Sequence, residues 1–191
     1  EKAKEIALSI ELFSDGNLNT FAKQTNVDID SRIICYDIRD LGRQLLPIGM
    51  LIVLDSILNR ITANKEKGKN TFIFIDEIYL LFKNEYSANF ISSLWKRVRK
   101  YGAFCTGITQ NVDDLLQSHI ARTMLSNSEF IVMLNQAATD RMELCELLNI
   151  SDGQAKYIKD VSAGSGLLKI GNSMVPFMDN FPKDTKLYGM M

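Results

Sequence analysis

Short apolar runs alternate along the chain with longer segments whose apolar residues recur at helical spacing. The runs, which are five to seven residues long as is typical of strands, lie at 32–38, 71–75, 103–109 and 129–134. The helical segments lie at 1–13, 45–61, 87–101, 113–125 (in one or two pieces) and 139–150. Because strands and helices alternate, we predict an α/β fold with a mostly parallel sheet flanked by helices.

Residue types at the helix starts refine this prediction. Pro47 suits the first turn of the helix at 45–61, because a first-turn residue needs no backbone N–H. Thr139 is the predicted N-cap of the helix at 139–150, since its hydroxyl can accept a hydrogen bond from a first-turn N–H.

Two further signals concern the C-terminal part of the chain. Ser151 and Gln154 have the spacing of a capping box, which predicts a second short helix. Gly171 and Asn172 separate two strand-like runs within 166–177, and this dipeptide is typical of a tight turn. We therefore predict a C-terminal β-hairpin, added antiparallel at one edge of the sheet.

Two adjacent carboxylates, Asp76 and Glu77, directly follow the run at 71–75, which is predicted to be buried on both faces. Parallel sheets bind ligands beyond the carboxyl ends of their strands, and an apolar strand followed by Asp-Glu is the Walker B pattern. Asp76 would hold Mg²⁺ through water, and Glu77 would orient or deprotonate the water that attacks a γ-phosphate. The alternative is that the pair caps the following helix.

Thr109 and Gln110 follow the next apolar run, and Thr109 is a candidate nucleotide-binding residue. If that run neighbours 71–75 in the sheet, Gln110 reaches the same crevice. Its amide could then hydrogen-bond the γ-phosphate or the attacking water. The alternative is a loop residue ahead of a helix N-cap at Asn111.

A basic run lies at 95–102, and its four cations are Lys96, Arg97, Arg99 and Lys100. The run could be a helix face that is simply solvated. It could instead supply Arg97 or Arg99 as an arginine finger to the nucleotide of a neighbouring subunit. A third alternative is that it contacts nucleic-acid phosphates. Arg122 is a second finger candidate. His119 is expected to be a helix-start or surface residue.

Composition narrows the classes of function. The 191 residues have a net charge of −1, which argues against a dedicated nucleic-acid-binding domain but not against a local basic patch. Three separated cysteines without metal-ligand spacing indicate a reducing compartment. The longest apolar stretch, 48–54, is too short for a transmembrane segment. An apolar content of 46% is enough for one domain spanning 1–191.

The phosphate-binding loop GxxxxGK[ST] is missing from the sequence. Gly68-Lys69 lacks the upstream glycine and is followed by Asn70, and the segment 162–166 has no lysine. The sequence as given therefore contains no phosphate cradle.

Several segments together resemble the conjugation and type IV secretion ATPase family, which includes the fourth VirB component and its conjugative relatives. They are IDE (75–77), WKRVRKYG (95–102), GITQNVDDLL (107–116), ARTMLSNSEF (121–130) and PFMDNFPKDTKLY (176–188), with GNLNTFAKQTNVD (16–28) and YDIRDLGRQL (36–45) upstream.

The resemblance implies a RecA-like ATPase domain, also similar to DNA-pumping coupling proteins, that uses ATP and Mg²⁺. In this family the phosphate-binding loop lies upstream of the matching segments, so residues 1–191 are expected to be the C-terminal portion of a longer ATPase domain and to be inactive alone. By position, Asp76 and Glu77 resemble the Walker B acids and Gln110 the phosphate-sensing glutamine, whereas Arg97 and Arg99 lie in the basic motif. It also implies self-association up to a hexamer, and docking with other secretion ATPases on inner-membrane components at the cytoplasmic face of a bacterial inner membrane.

The predicted function is that of an ATP-hydrolysing motor that energises channel or pilus assembly and the transfer of a DNA or protein substrate. One alternative is a non-catalytic scaffold with an ATPase-derived fold, which the missing phosphate loop supports. The other is a DNA translocase, which the basic run alone supports.

Overall fold

A computed structural model describes residues 2–16, 19–24, 26, 30–110, 112–179 and 181–190. The chain divides into two compact units, Glu1–Arg60 and Ile61–Met191. The placement of residues 1–191 in one ATPase domain therefore stays a prediction. The predicted N-cap Asn111 lies outside the described residues.

The first unit is built from helices. The helix α1 covers Lys2–Ser14, and short 3₁₀ helices cover Asn19–Ala22 and Arg39–Leu41. The predicted strand at 32–38 is wrong, because these residues form neither helix nor strand. They are apolar enough for a strand but pair with no other strand in the described structure, and a single extended segment gains no ladder hydrogen bonds.

The helix α2, Gly42–Glu66, is longer than the predicted 45–61 and continues from the first unit into the second. Pro47 consequently lies inside the helix and not in its first turn. Among the described helices, one segment (Gln44–Glu66) is long and apolar enough to cross a membrane. The prediction of no spanning segment considered only the unbroken stretch 48–54. The longer helix is weak support for a span, since core helices of soluble proteins meet the same criterion.

The second unit contains two sheets, of which the first is a parallel pair. The strands β1, Thr71–Ile75, and β2, Ala103–Gly107, pair in register from Thr71 opposite Ala103 to Ile75 opposite Gly107. A parallel pair needs a crossover connection, because the chain must return to the end where β1 began. That crossover consists of a 3₁₀ helix at Ile78–Lys83, the helix α3 at Glu85–Arg97 and a 3₁₀ helix at Val98–Tyr101.

The crossover helix α3 begins at a side-chain cap and buries one face. The Asn84 side chain accepts a hydrogen bond from the Tyr86 backbone N–H at 2.9 Å. Ile91, Leu94 and Val98 follow one another at helical spacing and are buried. Burying side chains of this size contributes about 1.5–3 kcal/mol each, which holds the crossover in place.

Only one face of the parallel pair is covered. Ile73 is buried and Cys105 is half-buried, and burial raises the pKa of the Cys105 thiol to about 12. On the other face Phe72, Phe74 and Phe104 are exposed, with Phe72 and Phe104 stacked at a centroid distance of 5.0 Å. The prediction that β1 is buried on both faces is therefore wrong for the described residues, because none of them covers this side.

The second sheet is antiparallel and separate from the first. Its strands are β3 (Phe130–Met133), β4 (Ser165–Ile170) and β5 (Ser173–Met178), in that spatial order. The predicted hairpin is confirmed as β4–β5, with Gly171 in a left-handed turn conformation. The hairpin was predicted at an edge of the parallel sheet, but it pairs with β3, since antiparallel β4 meets that strand along its whole length.

Four helices accompany this second sheet. They are α4 (Val112–Leu116), α5 (His119–Ser126), α6 (Ala138–Leu148) and α7 (Asp152–Ala155), with 3₁₀ helices at Lys156–Ile158 and Tyr188–Met190. The helical region 113–125 is thus two helices, and the capping box at Ser151 and Gln154 is confirmed. The predicted N-cap Thr139 is wrong, because α6 already starts at Ala138.

One cluster of buried apolar side chains joins the second sheet to its helices. Its members are Val112, Leu116, Met133, Leu144, Leu148, Ile150, Ile158 and Leu167. They come from α4, α6, β3 and β4 and from the segment after α6. This core fixes the segment that follows β2 against the rest of the unit.

Candidate functional site at the carboxyl end of the parallel strands

Asp76 and Glu77 occupy the turn where the chain leaves β1. The Asp76 side chain is exposed, and its Oδ1 accepts a hydrogen bond from the Glu77 N–H at 3.0 Å. This contact holds one carboxylate oxygen over the turn, while the residue as a whole remains exposed. A carboxylate placed in this way beyond a strand end is accessible to a ligand.

The backbone ladder between β1 and β2 continues past the ends of both strands. Ile108 N–H donates to the Ile75 carbonyl oxygen at 2.8 Å, and Ile78 N–H donates to the Ile108 carbonyl oxygen at 3.0 Å. Thr109 and Gln110 therefore leave β2 beside the turn that carries the two acids. The prediction that these strands are neighbours is confirmed. Gln110 is exposed, whereas Thr109 is half-buried and has an interaction partner.

Glu77 combines backbone strain with an unpaired carboxylate oxygen. Its φ of 49° is in the left-handed region, which costs a residue with a Cβ about 1–2 kcal/mol. Its Oε2 is buried and has no hydrogen-bond partner within the described structure. Buried polar atoms are nearly always satisfied, so such an atom indicates a missing ligand or water.

The helix-capping alternative for the acid pair has no support in the contacts. Glu77 occupies the N-cap position of the 3₁₀ helix at Ile78–Lys83, yet its side chain makes no capping hydrogen bond. The Asp76 carboxylate accepts from Glu77 N–H, not from a first-turn N–H of the helix. Neither acid therefore satisfies the helix terminus in the way that a capping residue would.

Gly107, which sequence reasoning missed, allows the turn after β1 to lie close to the end of β2. A Cβ at this position would lie 2.6 Å from Cδ1 of Ile78. A glycine at the end of a buried strand is a sequence signal for such an approach. The glycine therefore lets Ile78, and with it the acid turn, pack directly against β2.

Other charges near this end of the sheet are modest. Lys83 forms an ion pair with Asp114 of α4 at 3.6 Å. No group of three or more His, Cys, Asp or Glu side chains that could hold a metal occurs in the described ranges. A metal at this site would therefore depend on Asp76, on water and on phosphate oxygens, which is the ligand set that Mg²⁺ accepts.

Arg97 and Arg99 lie at the opposite end of the parallel strands from Asp76 and Glu77. They lie at the end of the crossover, with Arg97 as the last residue of α3 and Arg99 in the 3₁₀ helix after it. The helix α3 has 13 residues and so is about 20 Å long. Both side chains are exposed. Neither arginine shares the site of its own chain, so the finger prediction requires a second copy.

Arg122 is held by two contacts within the second unit. Its Nε donates to the Leu116 carbonyl oxygen at 2.6 Å, and its Nη2 lies 3.3 Å from Oε2 of Glu143. The guanidinium thus ties α5 to the end of α4 and to α6. His119 is exposed at the first residue of α5, as expected.

Comparisons with known proteins agree with this geometry. The family described as the TraG P-loop domain matches residues 12–168. Among solved structures, 13 chains match the fold. One is VirB4 of Thermoanaerobacter pseudethanolicus, with a TM-score of 0.76 and 22% sequence identity over 96% of this chain and 51% of that one. Among curated proteins, none matches.

The chain spans about half the length of that VirB4 structure, and the likeness establishes the fold. The predicted RecA-like α/β architecture is therefore confirmed. Because the family match covers most of the sequence, the chain belongs to the TraG P-loop domain family, as its motifs predicted.

Proposed function

We propose that this chain supplies the metal-binding and water-orienting half of the nucleotide site in an ATP-hydrolysing motor for conjugation or type IV secretion. Membership of the TraG P-loop domain family and the VirB4-like fold support the motor. The position of Asp76, Glu77 and Gln110 at one end of adjacent parallel strands supports the site.

The observation that carries the proposal is the state of Glu77. A left-handed backbone and a buried, unpartnered Oε2 are both unfavourable, and nothing in the described fold compensates for them. Strain of this kind is concentrated at functional sites. A carboxylate oxygen without a partner is suited to accept a hydrogen bond from a water molecule held against a γ-phosphate.

The roles of the other side chains follow from their chemistry. Asp76, exposed and with one oxygen engaged by Glu77 N–H, would hold Mg²⁺ through water. When bound, the ion would neutralise charge on the phosphates. Glu77 orients the attacking water and accepts its proton. The Gln110 amide donates to the γ-phosphate or to that water, and Thr109 lines the nucleotide beside it.

The phosphate-binding half of the pocket comes from polypeptide beyond these 191 residues, because the sequence has no GxxxxGK[ST]. In the motor this loop cradles the phosphates opposite Asp76. These residues alone are then expected to hydrolyse no ATP.

Self-association, up to a hexamer, would place the end of the crossover of one copy near the nucleotide of its neighbour. Arg97 or Arg99 would then act as the arginine finger. Arg122 is a weaker candidate, since its guanidinium already contacts Leu116 and Glu143. The motor would dock with other secretion ATPases on inner-membrane components at the cytoplasmic face, and would drive the transfer of DNA or protein.

The test is Glu77→Gln in the complete ATPase, which includes the phosphate loop. The amide keeps the size of the side chain but cannot accept a proton, so turnover should fall by about 10²–10⁴-fold. Nucleotide affinity, measured by fluorescence of a labelled ATP analogue, should be unchanged.

Glu85→Gln is the matched control, because Glu85 is an exposed acid in the first turn of α3 at the same end of the sheet. It should retain full turnover. Normal turnover in Glu77→Gln would refute the role of Glu77. The second candidate function is a non-catalytic scaffold, which the missing phosphate loop favours. If the complete protein failed to bind ATP, that result would support the scaffold.

A further inference from the structure

An ion pair links the segment that carries Glu77 to the segment that carries Gln110. Lys83 is the last residue of the 3₁₀ helix that follows Glu77. Its Nζ lies 3.6 Å from Oδ2 of Asp114, which is in the first turn of α4 and four residues after Gln110. The pair therefore spans the two stretches of chain on which the proposed water-orienting groups lie.

The ammonium group of Lys83 has a second contact within its own 3₁₀ helix. It lies 4.9 Å from the centroid of the Tyr79 ring, which is a cation–π contact. Tyr79 is half-buried, so the fold holds its ring in place. Ordering a lysine is unfavourable because its long side chain has many rotamers, and two contacts offset that loss better than one. The ring thus helps to place the ammonium group where Asp114 meets it.

Buried apolar side chains anchor both of the linked segments to the fold. In the 3₁₀ helix and in α4 they are Ile78, Leu81, Val112, Leu115 and Leu116. Apolar burial is non-directional, so it holds a helix against the core while tolerating small shifts along it. The ion pair adds an interaction whose energy depends on the distance between one point on each segment. It therefore limits shifts that apolar packing would allow.

The exposure of the pair indicates what it can contribute. The Lys83 and Asp114 side chains are 60% and 41% exposed, and pairs as exposed as this contribute little to the stability of a fold. A contact also cannot bias the position of a segment by more than its own free energy. Removing the pair is therefore expected to leave the protein folded and to change turnover several-fold, not a thousandfold.

We propose that Lys83 is a positioning residue that, through Asp114, holds the Gln110 segment in place relative to Glu77. This inference rests on the proposed function, because it assigns a further residue to the same nucleotide site. Glu77 and Gln110 come from different segments and would have to reach the same water or γ-phosphate, and small errors in such an arrangement lower turnover. Lys83 acts through Asp114 and is assigned no contact with the nucleotide.

The experiment exchanges the two charges in the complete ATPase and measures kcat and KM for ATP. Lys83→Glu and Asp114→Lys each bring like charges together, so each should lower kcat by about three- to tenfold. The combined variant restores an ion pair with its charges exchanged and should recover most of the wild-type kcat. Lys83→Arg keeps both the charge and the ring contact, and it should retain the wild-type kcat.

Two controls separate positioning from other effects of charge. Attraction of ATP by overall charge would instead make Lys83→Glu and Asp114→Lys change KM in opposite directions. Asp113→Lys makes the same charge change at an exposed neighbouring position, where the carboxylate accepts a hydrogen bond from Gln117, and it should keep the wild-type kcat. Melting temperatures of all variants should stay near the wild-type value, because the pair is exposed.

The Glu77→Gln variant distinguishes failure of this inference from failure of the proposed function. If Glu77→Gln loses turnover while both charge reversals keep the wild-type kcat, the positioning role is overturned and the nucleotide site stands. A combined variant as slow as the single variants would also overturn it, because turnover would then not depend on the pair. If Glu77→Gln keeps normal turnover, the proposed function is wrong and the positioning role is wrong with it.

Discussion

The two ends of the parallel β1–β2 pair have opposite character. At the carboxyl end the chain carries Asp76 and Glu77, with a left-handed backbone and a buried oxygen that has no partner. At the amino end Thr71 and Gly102 are joined by a backbone hydrogen bond, and the left-handed position is a glycine. Strain is thus present where chemistry is proposed and is avoided where only surface charge is displayed.

This contrast shows how one crossover separates two regions of opposite charge. Because β1 and β2 are parallel, the connection between them must travel the length of the sheet. It starts beside the acids and ends among the cations, so α3 keeps the opposite charges apart. A single rigid element can therefore carry an acidic turn at one end of the sheet and a basic surface at the other without mutual neutralisation.

The largest expected effect comes from Asp76→Asn in the complete ATPase. Removing the carboxylate charge should lower turnover by about 100-fold or more and raise the Mg²⁺ concentration needed for half-maximal turnover. Turnover in a magnesium titration is the measurement. Asp113→Asn, at an exposed acid in the first turn of α4, is the control and should behave as the wild type. If Asp76→Asn needed the same magnesium concentration as the wild type, the proposed role of Asp76 in holding Mg²⁺ would be contradicted.

A smaller effect is expected from Gly102→Ala at the amino end. Its φ of 65° is unfavourable for alanine, and the added Cβ would lie 3.3 Å from the Asn70 Oδ1. The free energy of unfolding should fall by about 1–2 kcal/mol, measured by urea denaturation. Gly68→Ala has a similar φ of 64° but open space around it, so it should lose less. Equal losses would show that the contact with Asn70 is unimportant.

The smallest change in the free energy of unfolding, with the opposite sign, is expected from Glu77→Gly. Glycine relieves the left-handed strain and removes the unpaired oxygen, although its greater freedom in the unfolded chain opposes this gain. We expect a net stabilisation of about 1 kcal/mol in urea denaturation, together with loss of turnover. Glu77→Ala removes the oxygen but keeps the strain, so it should gain less. A destabilised Glu77→Gly variant would show that the turn is not strained.

Features governed by neighbouring residues were predictable. The strand at Thr71–Ile75, the hairpin around Gly171 and the capping box at Ser151 depend on residue types within a few positions. The pairing of the two strands that precede Asp76 and Gln110 also followed, because two consecutive strands with a helical crossover usually pair in parallel.

Features that depend on distant partners were not predictable. Residues 32–38 are rich in apolar side chains, yet they form no strand, since a strand requires an edge with which to pair. Arg122 was a second arginine-finger candidate in the sequence, but its guanidinium contacts Leu116 and Glu143. No spacing rule connects these positions, because the packing of α4, α5 and α6 brings them together.

The sequence by itself determined the family, the acid pair after an apolar strand and the hairpin, because each depends on residue order over a short stretch. Only the tertiary structure decided that β3 pairs with the hairpin and that the Glu77 oxygen is unpaired. It also decided that Lys65, near the end of α2, contacts the Tyr101 ring at the end of the crossover. Strand pairing, burial and charge clustering are set by which distant segments come into contact, and residue order alone does not specify that.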